Sequence, residues 1–384
     1  VLEGFQLRWG IFVMKIIVFS DIQFNPWPEF SKTLSNGLNS RFQDQLNVLE
    51  EVFEHAISLS KHDEVILVHT GDLFESMTEK IDKSTFLTVF ELFRSFSSKG
   101  ILTFLLVGNH DWLDRTETIH ILKPFQEIDH TVVIDEPFHY KYTEDVGLVF
   151  VPFTRQGFKE KLDSLVTGFK MDRMYAFTHQ GVNGAMVGPR DIPLKDEYNP
   201  SDFRLDVFSL VFNGHYHKPQ SFANGLYVVG SPLQKDFGER NDAKGFWILD
   251  TKETPTTPVF VKTHGPRFYK IEITKEGDIT LPDSFCPTDF LWVVYSGVGE
   301  DRIKEVFDPS EINLSNVRFE CVKKNEARTR TDISISMTVK EQISTYLNWL
   351  WKHGEYLEYR EMDLDKEKLL KLALDKYYAS QESI

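Results

Sequence analysis

An α/β fold, with β-sheets layered between helices, is predicted by three observations. Short continuous apolar runs recur along residues 14–261, longer amphipathic stretches separate them, and most of the runs stop at a polar residue or a glycine. Continuous apolar runs mark strands buried on both faces, and their alternation with helical stretches builds layered domains.

The elements follow in order. Lys15–Ser20 is the first strand, and Gln43–Ser60 carries a helical stripe of Leu46, Leu49, Val52, Phe53, Ala56 and Ile57. Val65–His69 is the second strand. Lys83–Phe96 is a helix with Phe86, Leu87, Val89, Phe90 and Phe93 on its stripe. Leu102–Val107, Gly147–Val151, Met174–Thr178, Leu210–Phe212, Leu226–Val229 and Gly245–Leu249 read as strands. Thr251–Pro258 is a polar, proline-bearing loop before one last strand. After His264-Gly265-Pro266 the character changes. Phe268–Ile273, Phe290–Tyr295 and Val317–Val322 read as strands and Glu300–Phe307 as a short helix, a small α+β domain. Val339–Trp351 and Lys366–Tyr378 are amphipathic helices joined by the acidic connector His353–Asp365. The chain thus divides at 14–263, 264–335 and 336–384. Residues 1–13 lack a basic start and a small-residue cleavage site, so they read as an upstream extension before Met14 rather than a signal peptide.

A chain of 384 residues exceeds one small core, and its 41% hydrophobic and 26% charged content is that of a globular protein. No apolar run is long enough to cross a bilayer. Cys286 and Cys321 are far apart and outside every motif, so they read as buried thiols of a reducing compartment and not as a disulfide or zinc framework. A net charge of −15 argues against a module that coats DNA by charge alone. It leaves room for a DNA enzyme, because bound cations offset ligand carboxylates.

The chemistry lies in five short motifs, each following a strand: Asp21-Ile22-Gln23, Gly71-Asp72-Leu73-Phe74, Gly108-Asn109-His110-Asp111, His179-Gln180-Gly181 and Gly214-His215-Tyr216-His217. Taken singly, Asp21 and Asp72 read as turn or cap residues, His179 as a satisfied buried histidine, and Asn109-His110-Asp111 as a polar turn. The pair His215 and His217 is more informative, since alternate residues of an extended loop point the same way. Together and in this order the five describe a two-metal phosphoesterase site. Two divalent ions about 3.5–4 Å apart would acidify a water and clamp the phosphate. Asp72 is expected to bridge them, Asp21 and His217 to complete the first, and Asn109, His179 and His215 the second. Such mixed ligands suit manganese, iron or zinc. His110 is expected to act as general acid, with Asp111 orienting its ring.

These motifs are similar to those of the calcineurin-like metallophosphoesterases. The continuation Leu73-Phe74, the run Gly230-Ser231-Pro232-Leu233-Gln234 and the run Asp236-Phe237-Gly238-Glu239 resemble the SbcD branch, the nuclease subunit that works with the SbcC ATPase. The resemblance covers about residues 14–250. It implies a four-layer β-sandwich flanked by helices, followed by a capping domain at 264–335. It implies manganese-dependent (or magnesium-dependent) 3′→5′ exonuclease and single-strand or hairpin endonuclease action on DNA ends, in the cytoplasm of a bacterium or a phage-infected host. It also implies a homodimer and C-terminal helices that bind an SbcC-like ATPase. Lys366–Tyr378 is read as that partner helix, and for Val339–Trp351 partner binding and packing on its own chain stand level. Two positions depart from the pattern. Gln23 stands where the family has a histidine ligand, which predicts a weaker first metal site. Glu75 stands where many relatives have a histidine, and a carboxylate there would repel phosphate unless turned away. Trp27, Lys218, Lys235 and Arg240 are candidate DNA contacts. Their plain reading is a loop anchor for Trp27 and solvated surface charges for the rest.

Overall fold

The computed structural model describes residues 14–76, 81–222, 225–253, 256–274, 281–297, 299, 301, 303–304, 312–322, 337–353 and 366–381. The extension at 1–13, most of the expected helix at 300–307 and most of the connector at 353–365 lie outside the described residues. Two compact units are present, Val1–Glu320 and Cys321–Ile384.

The first unit holds two six-stranded sheets. The first sheet contains β1 (Met14–Phe19), β2 (Glu64–His69), β3 (Leu102–Leu106), β4 (Thr131–Ile134), β13 (Gly245–Asp250) and β14 (Val259–Lys262). Its order is β14-β13-β1-β2-β3-β4, with β1 to β4 parallel and β13 antiparallel to both neighbours. The second sheet contains β5 (Phe138–Lys141), β6 (Val146–Val151), β7 (Arg173–Thr178), β10 (Leu210–Asn213), β11 (Gln220–Phe222) and β12 (Leu226–Val228), in the order β11-β12-β10-β7-β6-β5. Its four central strands are parallel. A small hairpin, β8 (Met186–Val187) and β9 (Ile192–Pro193), lies between β7 and β10 in sequence.

The strand period of two explains the continuous apolar runs. Ile16 and Val18 of β1 join Ile66, Phe104, Leu148, Phe150, Phe177 and Phe212 in a core between the two sheets. Ile17 and Phe19 point the other way, into a second core with helices α1 (Ser40–Leu59) and α2 (Lys83–Ser97). Both faces of β1 are therefore buried, and polar residues there would lack partners. The outer face of the second sheet packs on α3 (Phe158–Val166) through Val149, Ala176 and Val211. Helix, sheet, sheet, helix is the predicted layered sandwich. Helix α1 starts where the Asn39 side chain accepts from the backbone N–H groups of Arg41 and Phe42, and α2 starts at Asp82 in the same way. Because β1, β2, β3, β7 and β10 run parallel within their sheets, loops that carry ligands leave the carboxyl ends of their strands, where α/β sheets place their sites.

Still in this unit, β15 (Phe268–Ile273), β16 (Phe290–Tyr295) and β17 (Val317–Cys321) form a three-stranded sheet with β15 and β16 parallel. Phe268 and Phe290 pack with Phe237, and Phe30 lies against them. The second unit contains α4 (Val339–His353) and α5 (Lys366–Gln381). Among the described residues no helix is long and apolar enough to cross a membrane. Cys286 and Cys321 are both exposed, which corrects the expectation of buried thiols.

Candidate metal centre

Close approach of loops builds the site. The loops after β1 and β2 are zipped by backbone bonds from Asp21 N to Gly71 O (3.0 Å), Gln23 N to Asp72 O (3.0 Å) and Phe24 N to Leu73 O (2.8 Å). Asp21, Gln23, Asp72 and His215 all take positive φ, at 55°, 50°, 59° and 86°. Non-glycine residues are rare there, and such strain gathers at functional sites. Gly71 (φ 112°) is needed twice over, because a Cβ would also strike the His179 ring. A Cβ at Gly108 would strike the backbone nitrogen and carboxylate of Asp72.

Asp111 holds these loops in register. Its buried carboxylate accepts from the backbone nitrogens of Asp72 (2.9 Å), Leu73 (3.3 Å), Phe74 (3.0 Å) and Gly108 (2.9 Å). It is thus committed to the backbone and does not orient His110, contrary to expectation. That task falls to Glu75, whose Oε1 lies 2.7 Å from His110 Nδ1. The backbone N–H of His110 donates to Asp72 Oδ1 at 2.8 Å, and its Nε2 lies 4.0 Å from Asp72 Oδ2. Burial pulls the His110 imidazolium down, but Glu75 and Asp72 outweigh it and the net shift is upward.

Four expected ligands converge. His179 Nδ1 donates to Thr70 O at 2.7 Å, which leaves Nε2 facing Asn109 Oδ1 at 3.0 Å and Asp72 Oδ2 at 3.3 Å. His215 Nδ1 lies 2.7 Å from the same Asn109 oxygen. Ligand atoms of Asp72, His179 and His215 all fall within 4.8 Å of one another. With Nδ1 on Thr70 O, His179 Nε2 thus faces two oxygen acceptors in a buried space, an arrangement that a cation relieves. Burial pulls the His179 imidazolium down, yet Asp72 and Asp21 outweigh it and push it up to about 9. Burial and His179 together push His215 down to about 4. Asp72 stays far below the usual carboxylate range despite burial, because of His179 and His110. Asp21 accepts from His215 N at 3.1 Å, while its buried Oδ1 has no hydrogen-bond partner among the described residues. The donor set of Asp72, Asn109, His179 and His215 fits a divalent cation.

The remaining expected ligands meet a different cation. Glu239 Oε1 lies 2.6 Å from His217 Nδ1, and His217 Nε2 lies 2.9 Å from Lys235 Nζ. Lys235 Nζ also donates to Gln23 Oε1, and Gln23 Nε2 donates to Asp72 Oδ2 at 3.1 Å. Lys235, expected at a DNA-facing surface, thus points into the centre. Burial pulls its ammonium down to about 8 against the pull of Glu239. Lys244 pairs with Glu239 at 2.8 Å.

The other candidate DNA contacts are engaged within the protein. Lys218 pairs with Asp191 and lies 3.6 Å from Asp242, and Arg240 donates to Phe237 O at 2.7 Å. Trp27 is half-buried in the loop before α1, whose Pro26 and Trp27 carbonyls are held by Asn39. Sequence reasoning missed Glu239, Lys244 and Asn213. Asn213 accepts from Thr178 Oγ1 (2.6 Å) and Gln180 N (2.9 Å) and donates to the Gln180 and Gly214 carbonyls, tying the loops after β7 and β10. The signal for it was a lone amide at the end of an apolar strand.

Residues 14–291 match the family described as calcineurin-like phosphoesterase. The chain is 26% identical over 230 residues to phosphoesterase 244L of Invertebrate iridescent virus 6, covering 58% of this chain and 73% of that protein. It is 24% identical over 237 residues to exonuclease subunit 1 of Enterobacteria phage T4, covering 60% of this chain and 66% of that one. Among solved structures it is similar to a dimetal phosphatase from Danio rerio, at 9% identity and a TM-score of 0.39 over 62% of this chain and 93% of that one.

Proposed function

Since the chain belongs to the calcineurin-like phosphoesterase family, we propose that it is a divalent-metal-dependent nuclease that processes DNA ends as the nuclease subunit of an SbcCD-like complex. The observation that carries the reading is the buried acceptor cluster of Asp72, Asn109, His179 and His215 with His110 beside it. Divalent metal, when bound, acidifies water and neutralises charge on phosphoryl oxygens. Asp72, Asn109, His179 and His215 would hold it.

The chain's own part is proton handling and shape. Glu75 takes the proton on His110 Nδ1, so Nε2 is the free end that faces the Asp72 side. The upward shift favours the His110 imidazolium, whose Nε2 proton is then available to the leaving oxygen. Asp111 fixes the backbone from which Asp72 and Asn109 project.

Similarity to a phage exonuclease subunit supports a nucleic acid as the substrate. The runs Gly230–Gln234 and Asp236–Glu239 support the SbcD branch, and with it 3′→5′ exonuclease and hairpin cleavage, manganese as the ion and a homodimer. On this reading residues 264–335 cap the site, and the helix at 366–378 binds an SbcC-like ATPase, with 339–351 either joining it or packing on its own chain.

The test is nucleotide release from 3′- and 5′-labelled linear duplex DNA, with manganese, magnesium or chelator, for the parent chain and His110→Ala. Manganese-dependent loss of the 3′ label that His110→Ala abolishes is expected. No cleavage, even with an SbcC-like partner and ATP, would sink the nuclease reading and favour a small-substrate enzyme or a scaffold.

A further inference from the structure

Lys235 stands inside the ligand set expected for the first metal ion. That set is Asp21, Gln23, Asp72 and His217. Lys235 Nζ donates to Gln23 Oε1 and lies 2.9 Å from His217 Nε2. The geometry points to a centre that binds one divalent ion, in the Asp72, Asn109, His179 and His215 set, with the Lys235 ammonium as the fixed cation of the other set. This rests on the metallophosphoesterase reading of the site.

Three features support it. First, the lysine is built in. Its backbone nitrogen donates to Glu239 Oε2 at 3.0 Å and its carbonyl accepts from Arg41 Nη2 at 2.7 Å. The preceding Gln234 is buried and bonded to Phe268 N at 2.7 Å and to Asp242 O at 3.2 Å. A lysine stem held at both ends is not a solvated surface charge.

Second, its partners are turned toward an ammonium. Glu239 takes His217 Nδ1 and leaves Nε2 as an acceptor, which Lys235 meets. Gln23 presents its oxygen to Lys235 and its nitrogen to Asp72. An amide oxygen accepts well from an ammonium and binds a manganese-like ion less well than an imidazole does. The glutamine and the lysine thus form a matched pair.

Third, the space excludes both cations at once. An ion bonded to His217 Nε2 would lie about 2.0–2.1 Å from that nitrogen. Lys235 Nζ is already on the same lone pair, so the ion and the ammonium would collide and repel. Among the described residues, no ammonium is hydrogen-bonded to Asn109, His179 or His215 of the other ligand set. There His179 Nε2 and His215 Nδ1 both face Asn109 Oδ1, at 3.0 and 2.7 Å.

The test counts ions on the full chain. After chelation and equilibrium dialysis against manganese, bound metal is measured by mass spectrometry, and spin coupling is read by low-temperature electron paramagnetic resonance. One ion per chain with the resolved hyperfine signal of isolated Mn(II) is expected, lost in His215→Ala and kept in His217→Ala. A Gln23→His/Lys235→Met variant, with Lys235→Met alone beside it and folding checked by circular dichroism, is expected to gain a second ion and a spin-coupled signal. Two coupled ions in the parent chain would overturn the lysine proposal and leave the metallophosphoesterase reading intact. One ion that survives His215→Ala but not His217→Ala would overturn it as well, as would a folded double variant that still binds only one. No bound ion at all would sink the metal-centre reading itself, and the proposal with it.

Discussion

Asp111→Asn separates a loop-holding carboxylate from a catalytic one. The substitution keeps the shape and removes the charge. In the best fit the amide oxygen stays on the Asp72, Leu73 and Gly108 nitrogens, which turns the new NH2 toward the N–H of Phe74. A buried donor left without an acceptor costs about 1–3 kcal/mol, and loss of charge assistance costs about 1 kcal/mol for each remaining bond. Part of this is returned, because burial and the nearby Asp72 push the Asp111 carboxyl upward and neutralising it relieves that penalty. A net loss of about 2–4 kcal/mol is expected. Urea unfolding at unchanged slope gives the stability change from the midpoint. At saturating manganese, below the unfolding transition, the variant should keep its turnover within about tenfold and its pH profile unchanged. His110→Ala, by contrast, should lose about 10²–10⁴. If Asp111→Asn kept parental stability and lost turnover as deeply as His110→Ala, the carboxylate would belong to the chemistry and the structural assignment would be wrong.

Glu75→Gln should move the alkaline limb of the pH–rate profile toward lower pH. Glu75 holds His110 upward, the acid works only while it carries its proton, and activity therefore falls as pH rises through the His110 pKa. A limb that stays in place would remove Glu75 from that role. Asp44→Asn should stabilise the chain above about pH 6 and leave it unchanged near pH 4. Burial pushes Asp44 up to about 6, partly countered by Arg41 and Lys32. The folded state thus keeps a proton that the unfolded chain has released, and stability falls between the two pKa values. After discounting for partial exposure the gain is about 1–2 kcal/mol, read from thermal midpoints at pH 5 and 8; equal midpoints for both chains at pH 8 would refute it.

The sandwich was legible because burial on both faces of a parallel strand leaves a continuous apolar run, as in β1, β2 and β3. Strand β4 is only four residues long and β5 alternates half-buried with exposed residues, so neither carries a long apolar run and neither was foreseen. The ligand loops were legible because each ligand directly follows a strand that fixes its starting point. Direction within those loops was not. Asn109, His110 and Asp111 are consecutive, yet Asn109 turns to the cluster, His110 to Glu75 and Asp111 back under the loop. Only the pairing of two distant loops decides this. Lys235 was misread for a related reason. Lysine usually signals solvent, and its depth here is set by Arg41 and Glu239, far from it or just past it in sequence.

Support for the centre runs past residue 263, into the segment that the change of sequence character set apart. Arg41 sits in the first turn of α1, buried, with Nη2 on the Lys235 carbonyl and Nη1 on the Glu29 carbonyl at 3.3 Å. Its guanidinium lies 5.1 Å from the Phe268 ring centre and 4.7 Å from that of Phe290. Those rings come from β15 and β16, and they pack on Phe237, two residues after Lys235. A buried guanidinium needs both its acceptors and its aromatic faces, since neither alone replaces the lost water. The rings of the small sheet therefore hold Arg41, Arg41 holds the Lys235 backbone, and Lys235 meets Gln23 and His217. The small sheet is in this way joined to the charge at the centre by a chain of contacts, beyond any part it takes in covering it.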